Sequence, residues 1–594
     1  MADIPSDDEP TLYDKMEGGP SIEDQADAAP KNERSIMIRK DSSTQSVFEK
    51  LTFAFHKLTW RTPIHKLRLS GNVPLRLLAK PDDPVPPNAE RGLAMKMGKF
   101  LFRDMDLDIE SADFNELLLP PSFVNYIHRY DWLRDLESAT NRGEAISIAE
   151  KINAKWLQEC GKKPSGEAWR PQICAWRFLN MAAHSPLILS SRDPVYRSVT
   201  INHFARTARY LDHSASKEDL GLPRLTAWCG VTAASLLLPE NSARRVMGEH
   251  GLESAIYEGV FPDGGVISRS PLHLISVVEL LTYISRCYAI RDVLVPEFIA
   301  DALTRCVTAL RGLTHSDDSI AAWQGSPHIS GATANSIIEA SSVRVRPARQ
   351  ALDWGYQRVP AGKSVLLVDA APPPAAKQSA TGCASTLAFE FSHGEQHIFQ
   401  NCGGAAMLSK NIPASLARGL RSTAAHSTLC INDSNSTAIL VGGKLGKGVN
   451  EVELDRREVN SGTRIESSHD GYLKSNGFTH RRILILRDDG LDLRGEDILL
   501  PNPNKKIKKS SPYHIRFHLG PNIEITSNGQ DESLILRMKD GSSWLFHGGG
   551  EKVSIDDSLW VDENGLAHPS KQLVISGETA SGGANNSWQL RFIH

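Results

Sequence analysis

Histidine, arginine and acidic residues that could move protons or hold anions recur in the second half of this 594-residue chain. His426 lies in RSTAAHSTL, 421–429, among small residues and just before a strand-like run. A histidine in that setting is a metal ligand, a proton-transfer group or a polar side chain satisfied in the wall of a sheet. Taken alone, the pattern favours the third interpretation.

A second group of metal-binding residue types follows further along the chain. His469, Asp470 and His480 are types that bind zinc through nitrogen and oxygen. Their spacing matches no compact zinc motif, so a site would have to be assembled across strands. The sequence leaves both possibilities open: zinc or another divalent cation at these residues, or no metal there.

The stretch HIRFH, 514–518, alternates in the way a strand does. His514, Arg516 and His518 would then project from one face. An arginine between two histidines suits an anionic ligand, or a metal with a positive neighbour. A solvated sheet face that carries a charged stripe explains the pattern equally well.

The stretch PDGGVISRSPLHL, 262–274, places Arg269 and His273 in a loop before a helical run. Pro271 lies between them and disfavours one shared helical face. A loop with these residues at the mouth of a helical bowl suits an anion. A helix N-terminus, with Ser270 as its cap and Pro271 in its first position, also explains the residues.

Two different periodicities must position these side chains. From about residue 95 to 345, apolar residues recur at spacings of three and four, as in ERGLAMKMGKFLF, which predicts paired antiparallel helices. From about 350 the period is two, and turns at Asp489-Gly490 and Asp540-Gly541 predict hairpins. In STLAFEF, residues Leu387, Phe389 and Phe391 are predicted to share one face. Many short strands with glycine-rich turns indicate an antiparallel sandwich.

Composition excludes several classes of protein. The formal net charge of −3 gives no bulk electrostatic reason to bind nucleic acid or a membrane. The 8 cysteines form no CxxC pair, which predicts free buried thiols in a reducing compartment. No secretion signal is evident at the N-terminus, and the most apolar run is interrupted by Glu279 and Arg286. A cytoplasmic protein without a transmembrane segment is expected.

The first part of the chain has a different composition. Residues 1–45 are acidic and then rich in serine and lysine, which predicts a disordered tail. The basic, aromatic stretch 53–69 either anchors on an acidic surface or docks on the first domain. The domains are therefore expected at 46–345 and 355–594, with a linker near 341–355.

Several strings together resemble the heparinase II/III-like polysaccharide lyases. They cover nearly everything after the tail, and they are specific jointly rather than singly: YDWLRDL (130–136), AWRPQICAWRFLNMAAHSPLIL (168–189), the stretch 238–271, GYQRVPAGKSVLLVDAAPPP (355–374), RSTAAHSTL (421–429), HDGYLKSNGFTHRR (469–482), LRGED (493–497) and IRFHLGP (515–521). The likeness is closest to the intracellular-looking bacterial variant of that family.

The resemblance implies an α+β multidomain fold, with an N-terminal (α/α) incomplete toroid followed by a C-terminal antiparallel β-sandwich. It also implies β-elimination on a uronic-acid-containing polysaccharide or oligosaccharide in the cleft between them. That reaction needs a neutralised carboxylate, a base for the C5 proton and an acid for the O4 leaving group. The family has a histidine at the place of His426, at the cleft face near the catalytic centre and the metal, and zinc occurs in some relatives.

Candidate roles follow from the resemblance together with the residue types. His426 and His273 are assigned to proton transfer and Arg269 to the substrate carboxylate. Arg516, His518, Arg481 and Tyr472 are assigned to substrate binding, and His469, Asp470 and His480 to the metal.

The chain departs from the family pattern on the helical side. Relatives carry an asparagine or Asn-His on the helix before the PE turn, where this chain has LGLPRLTAW, 220–228. His273 stands at about the position where relatives have a tyrosine after Ser-Pro. Gly382-Cys383-Ala384 stands where many close relatives have a histidine. A lyase is placed first, and an acidic-glycan-binding or regulatory protein on a degenerate lyase scaffold is the alternative. A glycoside hydrolase ranks below both, because no inward pair of carboxylates is evident.

Overall fold

The computed structural model describes residues 34–37, 74, 76–239, 242–404, 413–504, 507, 509–529 and 533–594. Residues 53–69, for which anchoring or docking was predicted, therefore lie outside the described residues. So does most of the predicted tail. One part of the predicted tail is corrected, because Arg34–Met37 form a β-strand.

The first domain is built from helices, many of which begin at a proline. Pro121, Pro171, Pro194 and Pro271 each occupy the first position of a helix, where the missing N–H is not needed. The helices of the described residues are α1 Ala89–Lys96, α2 Pro121–His128, α3 Trp132–Ala139, α4 Arg142–Glu159, α5 Pro171–Ala183, α6 Ser185–Leu189, α7 Pro194–Ser214, α8 Leu222–Leu237, α9 Ser242–Gly259, α10 Pro271–Ala289, α11 Glu297–Arg311, α12 Gly331–Ala340 and, in the second domain, α13 Ala414–Gly419.

Helix α8 lies at the centre of the helical domain and packs against α5, α9 and α10. It is apolar on nearly all sides, as expected for a helix surrounded by others. Gly230 allows the close contact with α5, since a Cβ there would lie 2.7 Å from the Cβ of Ala175. None of the helices among the described residues has the length and apolarity that crossing a bilayer requires.

One predicted helix is shorter than its periodicity indicated. ERGLAMKMGKFLF was expected to be helical throughout, but α1 ends at Lys96 and the next strand begins at Lys99. Gly98, with φ of 79°, reverses the chain between them. The following hairpin therefore inserts two short strands into the helical domain.

The second domain consists of antiparallel strands. The strands of the described residues are β1 Arg34–Met37, β2 Lys99–Phe102, β3 Met105–Asp108, β4 Tyr356–Ala361, β5 Ser364–Asp369, β6 Phe389–His393, β7 Gln396–Phe399, β8 Leu429–Ile431, β9 Glu451–Val459, β10 Gly462–His469, β11 Phe478–Arg487, β12 Asp492–Pro501, β13 Pro512–His518, β14 Glu524–Ser527, β15 Leu534–Arg537, β16 Ser543–His547, β17 Val553–Val561, β18 Ala567–Glu578 and β19 Ala584–Phe592.

The strands form one large sheet and two smaller ones around a shared core. The large sheet has the order β1-β9-β10-β11-β12-β19-β16-β15-β14, and the smaller ones have the orders β17-β18-β13-β8 and β4-β5-β6-β7. Both hairpins predicted from Asp-Gly turns are confirmed, since β11 pairs with β12 and β15 with β16. The predicted α+β architecture, helical first and sandwich second, is confirmed.

The face assignments within the strands are mostly confirmed. Tyr513, Ile515 and Phe517 of β13 enter the sandwich core, so the residues between them lie on the opposite face as predicted. Phe389 and Phe391 also enter that core. Leu387 does not share their strand, because it precedes β6 and has a φ of 63°. Its side chain packs in a separate small cluster.

Candidate functional site at the junction of the two domains

His426 is placed where a short 3₁₀ turn, Thr423–Ala425, leads into β8. Its side chain is buried, and its Nδ1 donates to the carbonyl oxygen of Ser422 at 2.7 Å. That bond leaves the lone pair on Nε2, for which the described residues supply no hydrogen-bond partner. Burial lowers the pKa of His426 in spite of the nearby carboxylates of Asp369 and Glu390. The ring is therefore neutral and has the form of a base.

His518 lies beside His426, but its ring is already occupied. Its Nε2 donates to the carbonyl oxygen of Ala424 at 3.0 Å, and its Nδ1 lies 2.8 Å from the hydroxyl of Ser558. Burial, aided by the neighbouring His426, lowers the pKa of His518 to about 3. His518 thus holds the 3₁₀ turn against β17, and its predicted role in substrate binding has no free ring nitrogen to support it.

We expect the protein to become less stable as the pH falls below about 6.5, and His518 to account for part of this loss. Its pKa lies below the unfolded value of about 6.5, so its contribution is present above pH 6.5 and is lost as the pH falls towards 3. At pH 5 this single group should cost about 2 kcal/mol. Denaturant titrations at pH 7.5 and pH 5 should show this loss, and the variant His518→Gln should lose less between the two.

The matched control is His514→Gln, which changes a half-buried histidine four residues away on the same strand face. This control should keep the wild-type loss between pH 7.5 and pH 5. An equal loss in His518→Gln and in wild type would contradict the assignment.

Arg269 joins the two domains from inside the protein. Its guanidinium is buried and binds the carboxylate of Asp369 at 2.7 Å and the carbonyl oxygens of Trp354, Ala371 and Pro372 at 2.9, 3.3 and 3.0 Å. The ring of Tyr356 lies 4.6 Å from the guanidinium carbon. The structure thus gives Arg269 a protein carboxylate in place of the substrate carboxylate that the sequence suggested.

The loop that carries Arg269 is held tightly by its neighbours. Asp263 accepts hydrogen bonds from the backbone amides of Gly265, Asp353 and Trp354 at 3.1, 2.8 and 2.7 Å. A Cβ at Gly265 would lie 2.1 Å from the ring of Trp354, so only glycine fits there. Arg269 itself has φ of 56°, a strained conformation for a large side chain.

His273 lies on the first turn of α10, which begins at Pro271 as predicted. Its Nδ1 is 2.8 Å from the hydroxyl of Ser268, and burial lowers its pKa to about 4. Ser270 precedes the helix but makes no side-chain capping bond. The hydrogen bonds of His273 and His426 go to Ser268 and Ser422 and not to each other, so their predicted cooperation in catalysis stays a prediction.

A buried glutamate that the sequence analysis missed lies between the domains. Glu390 of β6 accepts from the His315 ring at 2.8 Å, from the Asn401 side chain at 2.8 Å, and from the Asn401 and Ala322 amides at 3.1 and 3.3 Å. Burial raises the pKa of Glu390, but the His315 hydrogen bond and nearby histidines lower it to about 2. The carboxylate is therefore ionised and fully satisfied.

A second pair of an acid and a histidine, Asp317 and His397, lies beside Glu390 and His315 and is partly exposed. His397 Nε2 lies 3.0 Å from Asp317 and 3.0 Å from the hydroxyl of Ser319. The rings of His315 and His397 are 4.4 Å apart, and His328 bonds the carbonyl oxygen of Asn401 at 2.8 Å. Residues of the helical domain and of the strands thus interlock through polar bonds along the junction.

Two further polar side chains, Gln324 and Arg421, bind the loop 379–385. Gln324 donates to the hydroxyl of Ser385 at 2.8 Å and accepts from the amide of Cys383 at 2.8 Å. Arg421 donates to the carbonyl oxygens of Gly382 and Ser379 at 2.7 and 2.9 Å. The loop in which the family commonly has a histidine is therefore closed by internal hydrogen bonds.

His469 and His480, assigned to a metal, form a linear chain of hydrogen bonds instead. The amide of Gly471 donates to His469 Nδ1 at 3.0 Å, His469 Nε2 lies 3.3 Å from His480 Nδ1, and His480 Nε2 lies 2.8 Å from Asp497. Burial lowers the pKa of both histidines. All four ring nitrogens are used, so none is left for an ion.

Asp470, the third residue assigned to the metal, points away from the two rings. Its carboxylate accepts from the amide and the side chain of Asn450 at 2.8 and 3.0 Å and from the amide of Glu451 at 3.4 Å. Over the described residues, no three histidine, cysteine, aspartate or glutamate side chains converge as a metal site would require. The residues present therefore do not fit the zinc that occurs in some relatives.

The other residues assigned to substrate binding differ in exposure. Tyr472 is buried in the sandwich core, and its hydroxyl donates to the carbonyl oxygen of Leu429 at 2.8 Å, so the structure gives it a packing role. Arg481 is partly exposed and lies 3.4 Å from Glu466. Arg516 is partly exposed and reaches Gln572 at 3.4 Å, while its Nε is buried without a partner. Binding by these two arginines stays a prediction.

Comparison with known proteins shows that the chain has a known fold. Residues 343–589 match the family model for the heparinase II/III-like C-terminal domain. The crystal structure of heparinase III has a TM-score of 0.68 at 11% identity, covering 94% of this chain and 93% of that one. A heparan sulfate lyase HepC mutant from Pedobacter heparinus has a TM-score of 0.59 at 13% identity, covering 92% and 88%. These likenesses show the fold.

A curated relative bears a different kind of name. FtsZ-localized protein C from Caulobacter vibrioides is 24% identical over 541 residues, which cover 89% of this chain and 92% of the relative. The chain is thus similar along nearly its whole length both to lyase structures and to a protein named for its location.

Proposed function

We propose that this chain, whose residues 343–589 form a heparinase II/III-like C-terminal domain, is a non-catalytic localisation or adaptor protein on a lyase scaffold. We infer FtsZ as its partner, because its Caulobacter relative is named an FtsZ-localized protein. The predicted cytoplasmic, bacterial setting belongs to the same proposal. The observation that carries it is the engagement of Arg269 by Asp369 and three carbonyl oxygens.

A lyase must neutralise the uronate carboxylate before the C5 proton can leave. Three polar side chains of the junction that could serve that purpose have donors already engaged by protein groups. Arg269 is buried against Asp369, Gln324 bridges Cys383 and Ser385 of another loop, and the Asn401 side chain donates to Glu390. Freeing any of these donors would leave a buried partner unsatisfied, which costs about 1–3 kcal/mol or more per group.

The reaction also needs an acid and a base at the substrate. Tyr356 and Tyr472 are the tyrosines that the junction and the HDGY stretch supply, and both donate to carbonyl oxygens from buried positions. Burial raises the pKa of each well above its usual value, so neither is poised to release a proton. These contacts favour a scaffold that retains the fold without the chemistry.

A lyase acting on an acidic polysaccharide or oligosaccharide remains the second candidate. It is favoured by one observation, the neutral ring of His426 with a lone pair on Nε2. In that case His426 would take the C5 proton, and the carboxylate would have to be held by residues such as the partly exposed Arg516 or Arg481. Binding of an acidic glycan without cleavage is compatible with either candidate.

One pair of assays separates these candidates. The purified full chain is incubated with heparan sulfate, chondroitin sulfate, hyaluronan and alginate, and the absorbance of the unsaturated product is followed beside heparinase III as positive control. We expect no product from this chain on any of the four. In parallel, the chain is expected to sediment with polymers of purified FtsZ.

Two results would contradict the proposal. Unsaturated product that disappears in the variant His426→Ala would establish elimination and the role of that histidine. Failure to sediment with intact FtsZ polymers at low and at physiological salt would remove the adaptor role. The variant His514→Ala serves as the matched control for the histidine substitution.

A further inference from the structure

The segment that connects the domains carries arginines on its outer side. Within SSVRVRPAR, 341–349, the exposed residues include Arg344, Arg346 and Arg349, while Val343 and Val345 turn partly inward. The segment is fixed to α11, since Arg311 donates to the carbonyl oxygen of Val345 at 2.8 Å. Its arginines are therefore held at the surface by the packing of the alternate residues.

Two more arginines extend this patch onto the sandwich. Arg358 of β4 donates to the carbonyl oxygen of Thr314 at 3.1 Å. Arg456 of β9 donates to the carbonyl oxygens of Arg349 and Arg358 at 2.8 and 3.1 Å. We call the five residues Arg344, Arg346, Arg349, Arg358 and Arg456 the arginine surface.

The arginine surface carries more positive charge than its surroundings neutralise. Burial lowers the pKa of Arg358 and of Arg456, and the nearby charge of Arg349 lowers both further. The carboxylates of Asp318 and Glu458 offset part of this repulsion. With Arg311 and Glu339 of an adjoining groove included, six guanidinium groups face three carboxylates, an excess of positive charge that an additional acidic segment would offset.

A groove lies beside the first two arginines of this surface. Its volume is ≈ 740 Å³, and its walls are Arg311, Ile338, Glu339 and residues 342–346. The walls combine apolar side chains with the positive charges of Arg311, Arg344 and Arg346, which outnumber the single carboxylate of Glu339. A peptide that is acidic and also carries a few apolar side chains suits such walls.

The path of β1 brings an acidic segment of the same chain to this place. Strand β1 pairs antiparallel with β9, with Arg34 opposite Leu454 and Met37 opposite Glu451. Moving from Arg34 towards the N-terminus therefore means moving along β9 towards Asp455 and Arg456. Arg34, the N-terminal residue of β1, thus lies opposite Leu454, two positions along β9 from Arg456.

That preceding segment has the opposite charge. Residues 1–30 contain nine aspartate and glutamate residues and one lysine, a formal balance of −8. They also contain Leu12, Tyr13 and Met16. A chain of this length, which extends at ~3.3 Å per residue, reaches every part of the arginine surface and the groove.

We propose that residues 1–30 of this chain dock on the arginine surface and its groove, in cis, and cover it. The tether through β1 raises the effective concentration of the acidic segment to the order of mM, so modest contacts suffice. Docking of this kind shields the surface from polyanions in solution. Because the attraction is between exposed charges, it weakens as salt is added.

The test uses full-length chains and a fluorescent peptide of residues 1–30. In a tail-neutral variant, the nine acidic residues are replaced by their amides. Fluorescence anisotropy should show that this variant binds the peptide at low salt and releases it at higher salt. The wild-type chain should bind it at least about 10-fold more weakly, because its own tail competes at high effective concentration.

Two further variants locate the site on the tail-neutral background. Arg344→Glu, Arg346→Glu and Arg349→Glu together should abolish peptide binding. The matched control, Arg142→Glu, Arg192→Glu and Arg197→Glu, reverses three exposed arginines of the helical domain and should bind as before. Circular dichroism and thermal unfolding confirm that each variant is folded.

Each alternative gives a distinct result that would overturn the proposal. Equal peptide binding by the wild-type and tail-neutral chains would show that the tail does not occupy the surface. Retained binding after the Arg344, Arg346 and Arg349 reversals would place the peptide elsewhere. A salt-sensitive dimer of the wild-type chain that these reversals dissociate would show that the tail docks on a second copy.

Discussion

Replacing Asp497 with alanine is expected to lower the free energy of unfolding by about 3–5 kcal/mol. The buried carboxylate accepts from Arg482 at 2.7 and 3.0 Å, from His480 at 2.8 Å and from Trp588 at 3.1 Å. Burial raises the pKa of Asp497, but Arg482 and His480 together hold it well below its usual value. Alanine would leave the fully buried guanidinium of Arg482 without its counter-ion.

Equilibrium denaturation of the full chain measures this loss, with near-ultraviolet circular dichroism to follow the sandwich tryptophans. Asp497→Asn keeps the size and part of the hydrogen bonding, and it should lose less than alanine. Asp470→Ala serves as the control, because it removes an aspartate of the same domain that is only partly buried. It should change the free energy of unfolding by no more than about 1 kcal/mol. A loss below 1 kcal/mol for Asp497→Ala would show that water or rearrangement satisfies Arg482.

Breaking the Arg269–Asp369 pair is expected to have a similarly large effect, located at the junction. Arg269→Met should cost about 3–5 kcal/mol, because Asp369 is buried and would be left as an isolated charge beside Ser385. The same change should leave the affinity for acidic polysaccharides unaltered, since the guanidinium faces protein groups. Denaturation measures the first effect, and calorimetry with heparan sulfate measures the second.

A double-mutant cycle tests whether the effect belongs to the pair. Asp369→Leu combined with Arg269→Met removes both charges and should recover part of the stability lost in either single variant. Limited proteolysis of 341–355 should accelerate in the single variants, because Arg269 also holds the carbonyl oxygen of Trp354. Additive losses, or a selective loss of polysaccharide binding in Arg269→Met, would contradict the structural role and revive the substrate-carboxylate role.

The order of the layers was predictable because each depends on a local periodicity. The change of period near residue 350 reflects side chains that must alternate in a strand and recur every three or four residues in a helix. The Asp-Gly turns located two hairpins, and the one-face prediction for 514, 516 and 518 follows from the same alternation. Gly98 ended a helix that the apolar pattern extended, because a positive φ outweighs periodicity.

The content of the junction was much harder to predict. Glu390 lies between Phe389 and Phe391, and a lone carboxylate in an apolar strand was the available signal. Its partner His315 is 75 residues away in the chain, and no spacing rule joins the two. Sequence reasoning similarly grouped Asp470 with His469, because they are adjacent, whereas adjacent strand-end residues point to different sides.

Strand β1 has a practical meaning for anyone who shortens this chain. It covers the backbone of β9 at the margin of a nine-stranded sheet, pairing four residues with 451–454. A truncated chain that begins after Met37 would expose the backbone hydrogen-bonding groups of β9. An exposed edge strand of this kind can pair with strands from other molecules. Purified fragments that start there should be prone to aggregation on storage. Fragments that start before Arg34 retain β1, which pairs with β9.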